Sequence, residues 1–485
     1  MTEDWPVFSR VDATIDAAAA AYPERIALVY ESRRWTYGEL RAERDRRAGV
    51  LVELGLRQGQ IAATDDLVTD EMVITWLACA RAGVPLLVLS PLLAEGERAA
   101  LVARARPELA LLATEPGREP LAAPLVAPLA LPGEPGQEAL DVATGRASEE
   151  AGERPVLLRG TSGTTGGLPK LVVAPHRQPT WRIEAARSWW EGPEGIYCRA
   201  SEHHFSPPDI CQVFGMGARL VLTRTLQPAR LEAELVAEGA TGLWIVPALL
   251  HALVQNRRPV PDGLRLTHIR TGAAPLPLVV KRAAEARYGV PVVNSYATTE
   301  GNLIMTEPPG TPDGSIGRPF PLVEARLLDE RGEQVAEGEV GELVVRSPGL
   351  MLGYLDDPEA TARAIRGGWL HTGDLAYRNA DGFYFLVGRR SLAINVGGHK
   401  VFPDEVEAAL LAHPGVREAV VLAAPDAARG EVIRALVVPG VPAPTVAELQ
   451  RHCRELLANF KVPRLIEFRE SLPRSPLGKV LRHRL

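Results

Sequence analysis

The feature that most constrains this 485-residue chain is the recurrence of short, uninterrupted apolar runs separated by charged, helix-period segments. Pro85-Leu86-Leu87-Val88-Leu89 carries no polar residue on either face, so it reads as a strand buried on both sides of a sheet. Residues 39–56 instead place Leu40, Ala48, Leu51 and Leu54 among many charges, the spacing of an amphipathic helix. Leu243-Trp244-Ile245-Val246, Ile269-Arg270 and Val292-Val293 continue the strand series, and such alternation predicts layered α/β architecture. A chain this long exceeds a single compact core, so at least two domains are expected.

After Gly317 the texture changes. Val323 to Leu327 and Gly341 to Val345 alternate as short strands, and Asp381-Gly382 between Tyr377 and Tyr384 is a hairpin turn signal, so a small β-barrel-like subdomain is expected. The final stretch predicts a small α+β unit. Its strands run over 418–422 and 432–438, and its helices open at Asp404 (with Glu407) and Thr445 (with Glu448) by capping-box spacing. Residues 115–153, rich in Pro, Ala and Glu, read as a surface connection.

Composition removes several classes of function. The net charge of −6 comes without a block of like charge, which argues against a nucleic-acid arm or a polybasic membrane patch. The apolar segment 77–94 is broken by Arg81, Gly83 and two prolines, so it does not read as a membrane span. Cys79, Cys198, Cys211 and Cys453 are too scattered for a zinc site or a disulfide framework. With no secretory signal at Met1-Thr2-Glu3-Asp4, a cytoplasmic location is expected.

The chemistry concentrates in Arg159-Gly160-Thr161-Ser162-Gly163-Thr164-Thr165-Gly166-Gly167-Leu168-Pro169-Lys170. Glycines let backbone N–H groups converge on an anion, the hydroxyls add donors, and Lys170 adds charge. A flexible linker has similar composition, but linkers rarely join two strand-like runs such as Val156-Leu157-Leu158 and Leu171-Val172-Val173. The spacing differs from that of P-loop NTPases, because Pro169 precedes the lysine and Leu171 follows it.

Thr-Ser-Gly-Thr-Thr-Gly-x-x-x-Lys resembles the signature loop of the adenylate-forming superfamily, which comprises acyl- and aryl-CoA synthetases, nonribosomal peptide synthetase adenylation domains and beetle luciferase. Further matches follow in order over residues 161–482. Gly272-Ala273-Ala274-Pro275 resembles the segment lining adenine and the acyl pocket. Ser295-Tyr296-Ala297-Thr298-Thr299-Glu300 is similar to the Tyr-Gly-x-Thr-Glu motif, with Ala297 in place of glycine. The resemblance implies that Tyr296 packs on adenine, Thr299 reaches the α-phosphate and Glu300 ligates Mg²⁺. Thr372-Gly373-Asp374 and Gly388-Arg389 resemble the ribose-binding elements, and an acceptor-only aspartate suits two hydroxyl donors. Leu472-Pro473-Arg474-Ser475-Pro476-Leu477-Gly478-Lys479 resembles the final motif, whose lysine bridges the acyl carboxylate and the phosphates.

By this resemblance the chain divides into an adenylate-forming domain over 1–388 and a mobile C-terminal domain over 389–485, pivoting near Ser391, where relatives usually carry Asp or Lys. Asn395-Val396-Gly397-Gly398-His399-Lys400 resembles the segment facing the incoming thiol, with Gly397, Gly398 and Lys400 on that side. The reaction implied is ATP-dependent conversion of a carboxylic acid to acyl-AMP, followed by transfer to CoA or to the phosphopantetheine of an acyl carrier protein.

Amino-acid-activating relatives place an aspartate after a phenylalanine, whereas here Ser206 follows Phe205, although Asp209 lies near enough to substitute. His203-His204-Phe205 is closer to the aryl-acid branch, so these residues, with Ala297, are expected to contact an aryl or bulky non-amino acid. The two histidines read equally well as buried, hydrogen-bonded residues. Amino- or β-amino-acid adenylation for a carrier protein and amide formation remain alternatives. A non-catalytic nucleotide-binding role fits poorly with Thr299, Glu300, Asp374, Arg389 and Lys479 all present.

Overall fold

The computed structural model describes residues 10–65, 67–91, 93–111, 152–161, 169–183, 192–201, 206–426, 430–473, 480–482 and 485. Two mixed sheets dominate the larger part of the chain. One has nine strands, of which six, from Ile26–Tyr30 to Val292–Thr298, run parallel. The other has six strands and a parallel centre built from Ala62–Asp65, Leu86–Leu89, Leu109–Leu111 and Pro155–Gly160. All four residues of Leu86–Leu89 are buried, as a strand covered on both faces requires.

The helices Val11–Ala21, Tyr37–Glu53, Asp70–Ala82 and Pro207–Gly215 share one core with residues of both sheets, among them Leu28 and Leu220 of the first and Leu86 and Leu157 of the second. Helix Tyr37–Glu53 starts where Thr36 and Glu39 form a reciprocal capping box. Helix Pro228–Glu238 begins with Pro at its first turn and ends on left-handed Gly239. It packs with Pro247–Gln255 and Leu278–Tyr288 on the opposite face of the nine-stranded sheet.

A five-stranded antiparallel sheet follows, built from Glu324–Leu328, Gly341–Arg346, Ile365–Arg366, Trp369–Arg378 and Tyr384–Arg389. The Asp381-Gly382 turn joins its last two strands as expected, with Gly382 at φ +81°. The final sheet pairs Val416–Asp426 with Gly430–Pro439 over helices Pro403–Leu411 and Val446–Leu456.

One local expectation is corrected. Thr445 and Glu448 do form a capping box, but Asp404 does not cap its helix. Pro403 occupies the first turn, Phe402 is the cap residue, and no side chain caps the helix. Glu407 is turned inward instead, accepting hydrogen bonds from Val421 N–H at 2.7 Å and Arg482 Nη2 at 2.8 Å.

All four cysteines are buried free thiols. Among the described residues no helix is long and apolar enough to cross a membrane. The 115–153 connection lies outside the described residues.

Candidate functional site

A cavity of about 390 Å³ opens where the two large sheets and the antiparallel sheet meet. Thr161, Lys170, Gly272, Ala273, Ser295, Ala297, Thr299, Glu300 and Arg389 all line it. Residues 161 and 170 close a hairpin between Pro155–Gly160 and Leu171–Pro175. Thr161 N–H donates to the Lys170 carbonyl at 2.8 Å, and Lys170 N–H donates to Thr161 Oγ1 at 3.2 Å. Ser162, Gly163, Thr164, Thr165 and Gly166 lie between them, outside the described residues, as do His203, His204, Phe205 and Lys479.

Thr299 and Glu300 follow strand Val292–Thr298 in a turn held from several directions. Gly301 N–H donates to Thr298 Oγ1 at 2.9 Å, Gln178 Nε2 to the Thr299 carbonyl at 3.3 Å, and Met351 N–H to the Glu300 carbonyl at 2.7 Å. Tyr354, which sequence reading missed, pairs with Val172 and donates its hydroxyl to Glu300 Oε1 at 2.9 Å. Burial, then the Glu300 charge, raises its phenol well above the ordinary value. Lys170 Nζ sits 4.8 Å from the same ring, so loop cation, tyrosine and glutamate form a continuous strip.

No group of three or more His, Cys, Asp or Glu suited to a metal occurs among the described residues. A single carboxylate, Glu300, is nonetheless what Mg²⁺ needs when phosphate oxygens and water supply its other ligands. The residues fit that ion bound together with a nucleotide.

Gly272 is a close-approach position. A Cβ there would lie 2.8 Å from the Ser295 carbonyl oxygen, and the next residue, Ala273, adopts φ +71° at the cavity wall. Tyr296 and Asp374 meet through a short hydrogen bond from the tyrosine hydroxyl to Oδ2. Burial, reinforced by Asp374, raises the Tyr296 phenol well above its ordinary value. Arg389 Nε donates to Asp374 Oδ1 at 2.8 Å. A carboxylate has about four acceptor sites, so Asp374 retains capacity for two sugar hydroxyls.

The structure does not bring every expected residue here. Gly397 and Gly398, at φ +58° and +91°, form the turn of a hairpin between Ile394–Val396 and His399–Val401, and Lys400 pairs with Glu330 at 3.4 Å. None of these three residues lines the cavity, nor does Ala274.

Asp209 is not available to an ammonium group. It accepts from Arg182 at 2.9 Å, Arg199 at 2.8 Å, Arg270 at 3.5 Å and Ser206 Oγ at 2.7 Å. Burial pushes its carboxyl up, but Arg182, Arg270 and Arg199 outweigh this and hold it well below the usual range. The three arginines were also missed from sequence. The available signal was an arginine inside each of the short strand runs Ile196–Ala200 and His268–Gly272.

The sequence profile of the AMP-binding enzyme family matches residues 15–355, and that of the AMP-binding enzyme C-terminal domain matches 405–479. A long-chain-fatty-acid–CoA ligase of Escherichia coli O157:H7 is 34% identical over 340 residues, covering 68% of this chain. The chain spans 60% of the length of that ligase. A fatty acid–[acyl-carrier-protein] ligase, ScoC, of Streptomyces coeruleorubidus is 31% identical over 96% of this chain and 93% of its own. The structure of O-succinylbenzoate coenzyme A synthetase from Bacillus subtilis in complex with ATP and magnesium ion superposes with a TM-score of 0.83, at 28% identity over 97% of this chain and 98% of that one.

Proposed function

This chain belongs to the AMP-binding enzyme family, and from that premise we propose that it joins a carboxylic acid to a thiol through an acyl-adenylate. The observation that supports this most is the single cavity holding the Lys170–Tyr354–Glu300 strip together with the narrow Gly272 wall and Arg389. An anionic triphosphate and a small acid both find matching groups there.

In the first step a carboxylate oxygen attacks the α-phosphorus of ATP, the bond to the bridging oxygen breaks, and pyrophosphate leaves. Two anions must approach, so positive charge at the reacting phosphorus lowers the barrier. Thr161, Ser162, Gly163, Thr164, Thr165, Gly166 and Lys170 hold the phosphates, and Thr299 donates to the α-phosphate. Glu300 holds Mg²⁺, which neutralises charge on the leaving phosphates. Gly272, Ala273, Ser295 and Tyr296 border the adenine, while Asp374 and Arg389 hold the ribose. Lys479 bridges the attacking carboxylate and the phosphates.

In the second step a thiol sulfur attacks the acyl carbonyl. AMP departs with the former carboxylate oxygen, and the thiol proton passes to water. The unit over 389–485 pivots near Ser391 between these steps, presenting Lys479 first and the Gly397, Gly398 and Lys400 face second. CoA or a carrier-protein phosphopantetheine is the acceptor, and an aryl or bulky non-amino acid, contacted by His203, His204, Phe205 and Ala297, is the substrate. Engagement of Asp209 by three guanidiniums supports the non-amino reading.

Acid-dependent pyrophosphate exchange across aryl, fatty and amino acids, followed by CoA addition to the active pairs, tests the proposal. Exchange with at least one non-amino acid and thiol-dependent AMP release is expected. Exchange confined to amino acids would reject the substrate reading, and stable acyl-AMP in the presence of CoA and carrier protein would reject the second step.

A further inference from the structure

The strand Trp369–Arg378 does not run straight past its neighbour Gly341–Arg346. His371 pairs with Val344 and Leu375 with Glu342, so Thr372, Gly373 and Asp374 together face the single residue Leu343. The Thr372-Gly373-Asp374 motif is therefore a β-bulge, a device by which a strand re-aims a side chain. Two successive N–H groups of the bulge are received by side chains. Gly373, at φ +73°, donates to Glu342 Oε1 at 3.2 Å, and Asp374 donates to Thr372 Oγ1 at 3.1 Å. Thr372 Oγ1 in turn donates to the Leu343 carbonyl at 2.7 Å.

Glu342 closes the bulge from a buried position, 9% exposed. Its second oxygen, Oε2, lies 3.2 Å from His371 Nδ1 and 3.3 Å from Arg390 Nη2. An ionised carboxylate only accepts, so the imidazole carries its hydrogen on Nδ1. The preceding residue, Arg389, donates to Asp374 Oδ1 at 2.8 Å. Consecutive arginines thus hold two carboxylates, one at the base of the bulge and one at its end.

The direction of Asp374 decides what it can recognise. Its two oxygens already take Arg389 and Tyr296, so further donors must arrive along the remaining lone-pair directions. Hydrogen bonds weaken steeply once bent, so a small rotation of the bulge costs sugar contacts before it costs the fold. Without an acceptor at Glu342 the Gly373 N–H would have to turn toward another partner, because a buried donor left unpaired is unfavourable. Asp374, one residue on, would turn with it.

We infer that Glu342 is a positioning residue for nucleotide recognition. By fixing Gly373 it sets the direction of the Asp374 carboxylate, and through that carboxylate the preference for a ribose carrying both hydroxyls. This rests on the assignment of Asp374 to the ribose. Glu342 itself touches no part of the nucleotide.

Calorimetric binding of ATP, 2′-deoxy-ATP and 3′-deoxy-ATP to the full chain with Mg²⁺ tests it, and no acid substrate is needed. Wild type is expected to bind ATP about tenfold or more tighter than either analogue, since a site built for a hydroxyl rejects the analogue that lacks it. In Glu342→Ala that preference is expected to fall to about threefold or less, through weaker ATP binding, while the Kd of each analogue moves by less than about threefold. Glu342→Gln, whose amide oxygen still accepts from Gly373, restores part of the preference. Combined with Asp374→Ala, the Glu342→Ala change is expected to lower the preference no further, as for two residues acting through one contact. Equal weakening of all three nucleotides in Glu342→Ala, or an unchanged preference, overturns the inference while Asp374→Ala upholds the ribose reading by losing the preference. A full preference retained in Asp374→Ala, or equal binding of the three nucleotides by wild type, defeats both. If Glu342→Ala does not fold, Glu342→Asp, one methylene short of Gly373, carries the same expectations.

Discussion

Arg389 and Asp374 are direct register partners in the antiparallel sheet, and the guanidinium Nε reaches across to Asp374 Oδ1 at 2.8 Å. The same carboxylate receives the Tyr296 hydroxyl on its other oxygen. Asp374→Ala would leave both donors without an acceptor. The Arg389 side chain is 39% exposed, so water compensates much of the loss and stability falls by only about 1 kcal/mol. The KM for ATP is expected to rise at least about tenfold, because ribose recognition loses a charged acceptor. Steady-state kinetics with thermal melts separates the two effects.

Tyr354→Phe removes one hydroxyl from Glu300 and keeps the ring beneath Lys170. The glutamate becomes freer to rotate, so the Mg²⁺ concentration needed for half-maximal exchange is expected to rise several-fold while the fold is retained. A magnesium titration of the exchange rate checks this. An unchanged titration would separate Glu300 from metal binding.

Lys479→Ala is expected to lower adenylation by about a hundredfold or more, the size of effect seen when charge stabilising a transition state is lost. ATP binding should remain within about threefold of wild type. Calorimetric ATP binding beside pyrophosphate exchange provides the comparison, and near-normal exchange would remove the lysine from the chemistry.

Burial pushes the Glu407 carboxyl up from 4.5 to about 7, despite Arg482 nearby and the Val421 N–H. Below 4.5 both folded and unfolded chains carry the proton, and the effect vanishes. Between 4.5 and about 7 only the folded chain keeps it, so stability falls as pH rises through this window and the penalty is complete above it. The full effect is about 3 kcal/mol. Glu407→Gln should flatten the dependence of melting temperature on pH across that range. An unaltered slope would assign the dependence to other groups.

Much of the cavity lining was legible in sequence, because glycines and polar residues at short spacing mark close approach of backbone. Gly272 is required by the nearby Ser295 carbonyl, and the Thr161–Lys170 hairpin follows from two flanking strands. The arginine cluster around Asp209 was not legible in the same way. Arg182, Arg199, Asp209 and Arg270 come from separate elements, and only the folded register shows that Arg199 and Arg270 flank Trp244. The Asp404 expectation failed for a related reason. Spacing to Glu407 imitates a capping box, but Arg482, far along the chain, claims that glutamate for the interior. Tyr354 escaped notice because its partner, Glu300, is fifty-four residues away.

The most direct measurement follows an oxygen atom. With the substrate acid labelled with ¹⁸O in its carboxyl group, ATP, Mg²⁺ and a thiol acceptor, the account predicts one labelled oxygen in the phosphate of the AMP released. Label in inorganic phosphate, cleavage of ATP to ADP, or release of AMP without label would contradict it.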